Sequence, residues 1–331
     1  MLSYNNMWLM YKSQTLQLSK AASRSVTHRA SNRGVGNNKT YEEYTNLVLP
    51  TRSNSALSIK AQSDEVEHVL HRAIDICISK LFFKTAFSLL RDKKRDNRSA
   101  LIQAARDCGD REIEQRLKDD KRYAMWMATV PNARANVLKT RMMNAATRSV
   151  VELYGLEISD VDACKARVAF LTSRTPEYPF IFPEDPQSGK LLVDKPFLHP
   201  LIIRVLSHSQ TLSEAVQRLL PEFSPMKGSE PEIPSSLLAL ASSAAYCALM
   251  EWENGTRSSM TFNKKLAASV YQDNLATLSK LAEDTKTASS YHPLMRKIFS
   301  LAYNEPGNIC LQRPRTVNAR MSATIVAINL D

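Results

Sequence analysis

The side chains able to do chemistry in this chain are few and widely spaced. His199 stands between Leu198 and Pro200, and Glu251-Trp252-Glu253 closes a long uncharged run just ahead of Asn254-Gly255. A histidine and a carboxylate are the minimum for general acid–base work, because an imidazole titrates near neutrality and its neighbours tune it. His199, Glu251 and Trp252 are therefore a candidate pocket between helices. No nucleophile is paired with His199 by spacing, and two adjacent carboxylates on a helix point in different directions. The preferred reading of His199 is structural: at a helix start its ring can bond a free backbone group. Glu251 and Glu253 sit where a helix C-terminus disfavours negative charge, so cationic partners are expected from Arg257, Lys264 or Lys265.

Two further constellations are weaker. His68 and His71 are three apart, with Asp64 and Asp75 about a turn to either side, and side chains at i and i+3 can converge on a metal. Spacing supplies no third ligand and there is no HExxH, so a solvated polar face is preferred. His292 before Pro293 reads as another helix start. No P-loop, GxGxxG, GxSxG, kinase signature, zinc-finger spacing or EF-hand is present. No catalytic residue, cofactor or metal is assigned. The cysteines, Cys77, Cys108, Cys164, Cys247 and Cys310, are odd in number and far apart, which points to free thiols in a reducing compartment.

Charge is more informative. The net charge is +11, but residues 1–60 hold 8 basic against 2 acidic residues, residues 61–150 hold 18 against 12, and residues 151–331 hold 18 against 19. The basic character belongs to the N-terminal half, which suggests an acidic partner, either nucleic acid or an acidic protein. Residues 121–151 contain no acid. Within them Arg134, Arg141 and Arg148 are spaced by seven, drifting only about 20° per step on a helix. They form a stripe that can meet phosphates by charge and by bidentate geometry. With Lys139 they are the candidate contact. Solubility is the competing explanation of the charge, and an exposed face or arginines pairing with acids from other helices that of the stripe.

The elements that must position these residues read as all-α. With only 8 glycines in 331 residues, a many-stranded sheet is disfavoured. Residues 1–61, rich in Ser, Asn, Thr and Arg, read as a disordered basic arm; an acid-free start of this kind is also how a mitochondrial presequence reads. Ser63-Asp64-Glu65 opens an amphipathic helix ending near Leu90, followed by a charged connector over 91–98. Helices follow over roughly 99–107 and 110–128. Pro131 breaks the chain, Asn132 caps, and Ala133 to Tyr154 is a helix stopped by Gly155. Ser159 or Asp160 caps the next helix, to about Thr172. Five prolines make 174–196 an extended connection carrying Tyr178, Phe180 and Phe182. Helices near 197–208, 212–219, 235–253, 260–284 and 291–303 complete a domain over about 62–304. Residues 305–331 form a tail, in which Ala323 to Leu330 is a short strand at most. The 18 uncharged residues Ile233–Met250 are long enough to invite a membrane reading, but their serines and alanines favour a helix buried on all sides.

One series of landmarks resembles a known family. It comprises Arg134, Lys139, Ala146, Val150 and Tyr154-Gly155-Leu156, then Phe197-Leu198-His199-Pro200-Leu201-Ile202. Ala239, Leu249, Glu251-Trp252, Gly255, Phe262, Tyr271, Asn274-Leu275 and Leu278 complete it. Over about residues 70–303 these are similar to an all-helical domain of unknown function abundant in mushroom-forming fungi. The resemblance implies an all-helical fold behind a variable N-terminal region and supplies no catalytic residue, cofactor or substrate. The expectation is a non-enzymatic binding or scaffold module inside the cell, nuclear or cytoplasmic, with a mitochondrial location as the alternative. An enzyme using the His199–Glu251 pocket, and a protein–protein adaptor using residues 174–196, remain the other two readings.

Overall fold

Helix α1 (Asp64–Phe83) starts where the sequence places it: Ser63 Oγ accepts from Val66 N–H (3.3 Å), and Asp64, Glu65 and Glu67 face the positive end of the helix. The structure is a computed structural model that describes residues 41–51, 56–87, 90–174, 178–208, 216, 219–224, 229–258 and 264–303. Those residues form an all-α domain, with no strand among them beyond an isolated bridge between Glu184 and Leu191. Residues 1–40 and 52–55 of the expected arm, the helix near 212–219 apart from residues 216 and 219, Cys310 and the tail lie outside the described residues.

Three expectations change in the first half. Helix α1 ends at Phe83 rather than near Leu90, and the charged connector is itself helical, in α2 (Leu90–Asp107). No Gly or Pro interrupts 91–98, and its charges pair across the surface, Asp92 with Arg95 (2.8 Å) and Asp96 with Lys80 (2.9 Å). The break falls instead at 84–87, where tertiary contacts hold the chain: Ala86 N–H donates to Tyr271 Oη (3.0 Å) and Lys139 Nζ donates to the Ala86 carbonyl. The expected single helix over 110–128 is two. In α3 (Arg111–Asp119) Asp110 caps Ile113 N–H, and in α4 (Lys121–Met127) Asp120 caps Arg122 and Tyr123 N–H. A carboxylate that caps the next helix stops the previous one. Finally, Pro131 does not break the chain. It lies in the first turn of α5 (Thr129–Leu153), where no intrahelical N–H partner is needed.

The end of α5 follows the sequence closely. Gly155 takes φ +60°, its N–H reaches the Glu152 carbonyl (3.3 Å), and Leu156 N–H reaches the Val151 carbonyl (2.9 Å), which together close a Schellman turn. Asp160 caps α6 (Val161–Leu171) through Asp162 and Ala163 N–H. The proline-rich connection sends Tyr178, Phe180 and Ile181 into the core through a 3₁₀ turn at Pro179–Ile181. It leads to α7 (Pro200–His208), α8 (Ser235–Met250), α9 (Lys264–Glu283) and α10 (Ala288–Tyr303). Helix α10 starts upstream of the expected His292-Pro293 start and carries Pro293 inside it.

Helix α8 is the central element. Every residue from Ser236 to Leu249 is buried, and the hydroxyls of Ser242 and Ser243 are absorbed by the carbonyls of Leu238 and Ala239 one turn back. No helix among the described residues is long and apolar enough to cross a membrane. Around α8 pack α5, α7, α9 and the end of α1, sharing one core with α10. A second core joins the first half of α1 to α2, α3, α4 and Val130 at the start of α5. Helices α1 and α5 contribute to both cores. Residues 41–51 and 56–61, which composition assigns to the arm, pack on the second core: Thr45 and Leu57 are buried and Tyr44, Leu47 and Ile59 lie against it.

Candidate functional site

The arginine stripe lies on α5. At about 100° per residue, the buried side chains Leu138, Met142, Ala145, Ala146 and Val150 span one side of the helix, and Arg134, Arg141 and Arg148 run along its edge. Arg134 and Arg148 are exposed and Arg141 is half-buried. Arg141 and Arg148 also engage neighbours within the fold. Successive arginines are about 10 Å apart along the axis, which suits contacts to separate phosphates of one strand.

Lys139 does not join them. It lies about 140–180° around the helix from the arginines, inside the apolar arc. Its stem runs along the core, its Nζ donates to the Ala86 carbonyl, and it sits 4.5 Å from the Phe87 ring centroid. Lys139 therefore fastens the 84–87 link to α5, a task internal to the fold.

The three pocket candidates have separate partners. His199 is buried and stacks on Tyr154 with ring centroids 4.0 Å apart and planes 13° from parallel. Its Nδ1 accepts from Leu201 N–H (3.1 Å), so the ring caps α7, as its place before Pro200 suggests, and the geometry puts the ring proton on Nε2. Burial, reinforced by the Arg167 cation, holds its pKa down at about 3. A base that weak is a poor match to proton transfer at neutral pH. Tyr154 is also fixed: its hydroxyl donates to the Phe180 carbonyl (2.9 Å), and Arg167 holds its backbone carbonyl (3.3 Å) while pairing with Glu184 (2.5 Å).

Glu251 is buried at the end of α8. Arg257 Nε donates to one carboxylate oxygen (3.2 Å) and Thr147 Oγ1 to the other (3.4 Å), so Arg257, one of the three expected cations, meets it. The Glu251 carbonyl takes Ser258 N–H (2.8 Å), which closes the turn through Gly255. Trp252 packs against the main core with its Nε1 buried and without an acceptor among the described residues. No hydrogen bond or ion pair among the described residues joins His199 to Glu251 or Glu253. Their anchors, Tyr154 at the C-terminal cap of α5 and Thr147 within it, are about 10 Å apart along the helix axis.

The remaining candidates are accounted for locally. His71 meets Glu67 one turn back (3.3 Å), and no group of three or more His, Cys, Asp or Glu that could hold a metal occurs among the described residues. His292 reaches Glu232 (2.8 Å), tying the loop before α8 to α10. Burial raises the thiol pKa of Cys77 to about 11 and of Cys247 to about 12, and raises those of Cys108 and Cys164, which keeps these thiols protonated at neutral pH. A cluster that sequence reasoning missed, Arg116 between the rings of Tyr41 and Tyr123, lies on the second core.

The family described as Domain of unknown function (DUF6532) matches residues 72–281, more than half of the chain. The chain belongs to that family. The match contains the stripe, His199, Glu251 and Trp252. No curated protein and no solved structure matches the chain.

Proposed function

We propose that this chain is a non-enzymatic binding or scaffold module whose basic N-terminal half engages an acidic partner, with nucleic acid the first partner to test. The observation that carries the reading is the line of Arg134, Arg141 and Arg148 along one edge of α5, in a half of the chain where basic residues outnumber acidic ones. Support also comes from the pocket candidates. His199 is a neutral helix cap, and Glu251 is held by Arg257 and Thr147. The aromatic residues of the proline-rich connection, Tyr178 and Phe180, are buried in the core, which takes the main anchoring side chains away from the adaptor reading. A fungal source, suggested by the landmark resemblance, and an intracellular location, nuclear or cytoplasmic with mitochondrial as the alternative, belong to the same proposal. The test is fluorescence anisotropy of the full chain with random-sequence DNA and RNA at rising salt. Binding that weakens steeply with salt supports the reading, and salt-independent binding or none counts against it.

A further inference from the structure

The second core carries a feature independent of the arginine stripe. Ahead of α1, residues 41–48 and 56–59 pack on the second core, with 41–46 against α3, and side chains meet their backbone in place of a regular ladder. Ser63 Oγ donates to the Tyr44 carbonyl (2.7 Å), Gln62 bonds both backbone groups of Val48 (3.0 Å each), and Leu57 N–H donates to Thr129 Oγ1 (3.2 Å). The segment's side chains are gripped as well. Arg116 Nη1 donates to Thr45 Oγ1 (2.6 Å) and Asn46 Oδ1 (3.0 Å), with its guanidinium 5.0 Å from the Tyr41 ring centroid and 4.5 Å from that of Tyr123. The hydroxyls of Tyr41 and Tyr44 donate to Asp119 and Asp110 (3.4 Å each).

The fit is incomplete in one respect. Arg116 Nε, Tyr123 Oη and Trp126 Nε1 are buried without a hydrogen-bond partner among the described residues, and all three lie on α3 and α4. Unmet buried donors carry a desolvation penalty, and native proteins hold few of them. Thr45 and Asn46 offer single neutral oxygens to a guanidinium whose preferred acceptor is a carboxylate taken by two parallel bonds. The nearby carboxylates have other work: Asp110 and Asp119 accept tyrosine hydroxyls, and Asp110 and Asp120 cap α3 and α4. In addition, Asp110, Arg116, Asp119, Tyr123 and Trp126 fall inside the family match, whereas residues 41–59 precede it. The Arg116 surface therefore lies within the family match, and the segment on it lies ahead of the match.

We propose that this α3–α4 face is a docking groove for an extended peptide and that residues 41–48 are its intramolecular occupant. A partner segment with two tyrosines three apart and a carboxylate at the Asn46 position, facing Arg116, displaces them. Extended segments read through backbone bonds and alternate side-chain sites are a common peptide-recognition mode. The test uses a fluorescein-labelled peptide matching residues 41–50 with Asn46→Asp, titrated by anisotropy into the full chain. In a chain carrying Tyr41→Ala and Tyr44→Ala, the occupant loses its gripping side chains while the groove keeps its own. Its apparent affinity for the peptide should rise at least about tenfold, because a tethered competitor scales affinity by the open fraction. Adding Arg116→Lys, which keeps the charge and removes the fork, should reverse the gain, and the peptide with Asn46 unchanged should bind several-fold more weakly. Equal affinity for wild type and the tyrosine variant, indifference to Arg116→Lys, or no binding at all would overturn the proposal. If the tyrosine variant loses its helical circular dichroism, the second measurement is amide exchange across residues 41–48 in the intact chain carrying Asn46→Asp. Several-fold slower exchange is expected there, and unchanged or faster exchange would overturn the proposal.

Discussion

Gly255 is the position where a single methyl group should do most damage. Its φ is +79°, a region that side-chain-bearing residues enter at a cost of roughly 1–2 kcal/mol. A Cβ at this position would also lie 2.2 Å from the Val161 carbonyl oxygen, 2.7 Å from Val161 Cγ1 and 2.9 Å from the Val161 carbonyl carbon. Two of those atoms are backbone at the start of α6, so no rotamer change relieves the overlap. Forcing atoms into a filled site costs about 1–3 kcal/mol. Gly255→Ala should therefore destabilise the protein by about 2–5 kcal/mol, or roughly 5–15 °C in Tm for a domain of this size. Gly109 supplies the control. Its φ is +77°, but a Cβ there meets nothing within 4 Å, so Gly109→Ala should show the backbone cost alone, about 1–2 kcal/mol. Thermal unfolding followed by circular dichroism at 222 nm measures both. If Gly255→Ala is no worse than Gly109→Ala, the close approach of the α8–α9 turn to α6 is refuted, and with it the described seating of Glu251.

Other outcomes follow from the same contacts. Lys139→Met keeps the stem and removes the charge, so it should lose the Ala86 bond and the Phe87 contact and destabilise by about 2–3 kcal/mol in urea unfolding; a loss no larger than that of Arg134→Met would show that Lys139 is a surface residue. For His199, the folded pKa of about 3 lies below the ordinary 6.5, so the unfolded chain takes up the proton first as pH falls. Its contribution to stability is complete above about pH 6.5 and is lost progressively toward pH 3, by at most about 1.4 kcal/mol per pH unit. His199→Asn, which retains an acceptor for Leu201 N–H and does not titrate, should flatten the fall of the unfolding midpoint between pH 6.5 and 4. An unchanged slope would contradict the buried neutral ring.

Much of this was legible in the residues, for identifiable reasons. Caps and stops are local, so Ser63, Asp160 and Gly155 mark helix boundaries that tertiary contacts did not move. The uncharged run through Ala241–Ala245 announces a helix surrounded by protein, and α8 is that helix. Residues 91–98 misled because composition suggested solvation, while helix formation there depends on pairing with Lys80 and on the burial of Leu101, Ala104 and Ala105. Pro131 misled because a proline is a breaker in a helix interior and neutral in a first turn, and the sequence does not say which turn it occupies. Charge groups Lys139 with the arginines, although its angular position places it in the apolar arc. The Arg116 cluster was hidden because Tyr41 and Tyr123 are 82 positions apart and only the fold brings both to one guanidinium.

The most direct measurement is the salt dependence of nucleic-acid binding by the full chain and by the chain carrying Arg134→Ala, Arg141→Ala and Arg148→Ala. If the stripe is the binding surface, log Kd against log salt is steep for the wild type, and its slope drops by about 3 in the variant, at roughly 0.9 for each phosphate that is no longer neutralised. The helical circular dichroism of the variant should match that of the wild type. Identical slopes for the two proteins, or wild-type binding that does not change with salt, would contradict an acidic partner bound along α5.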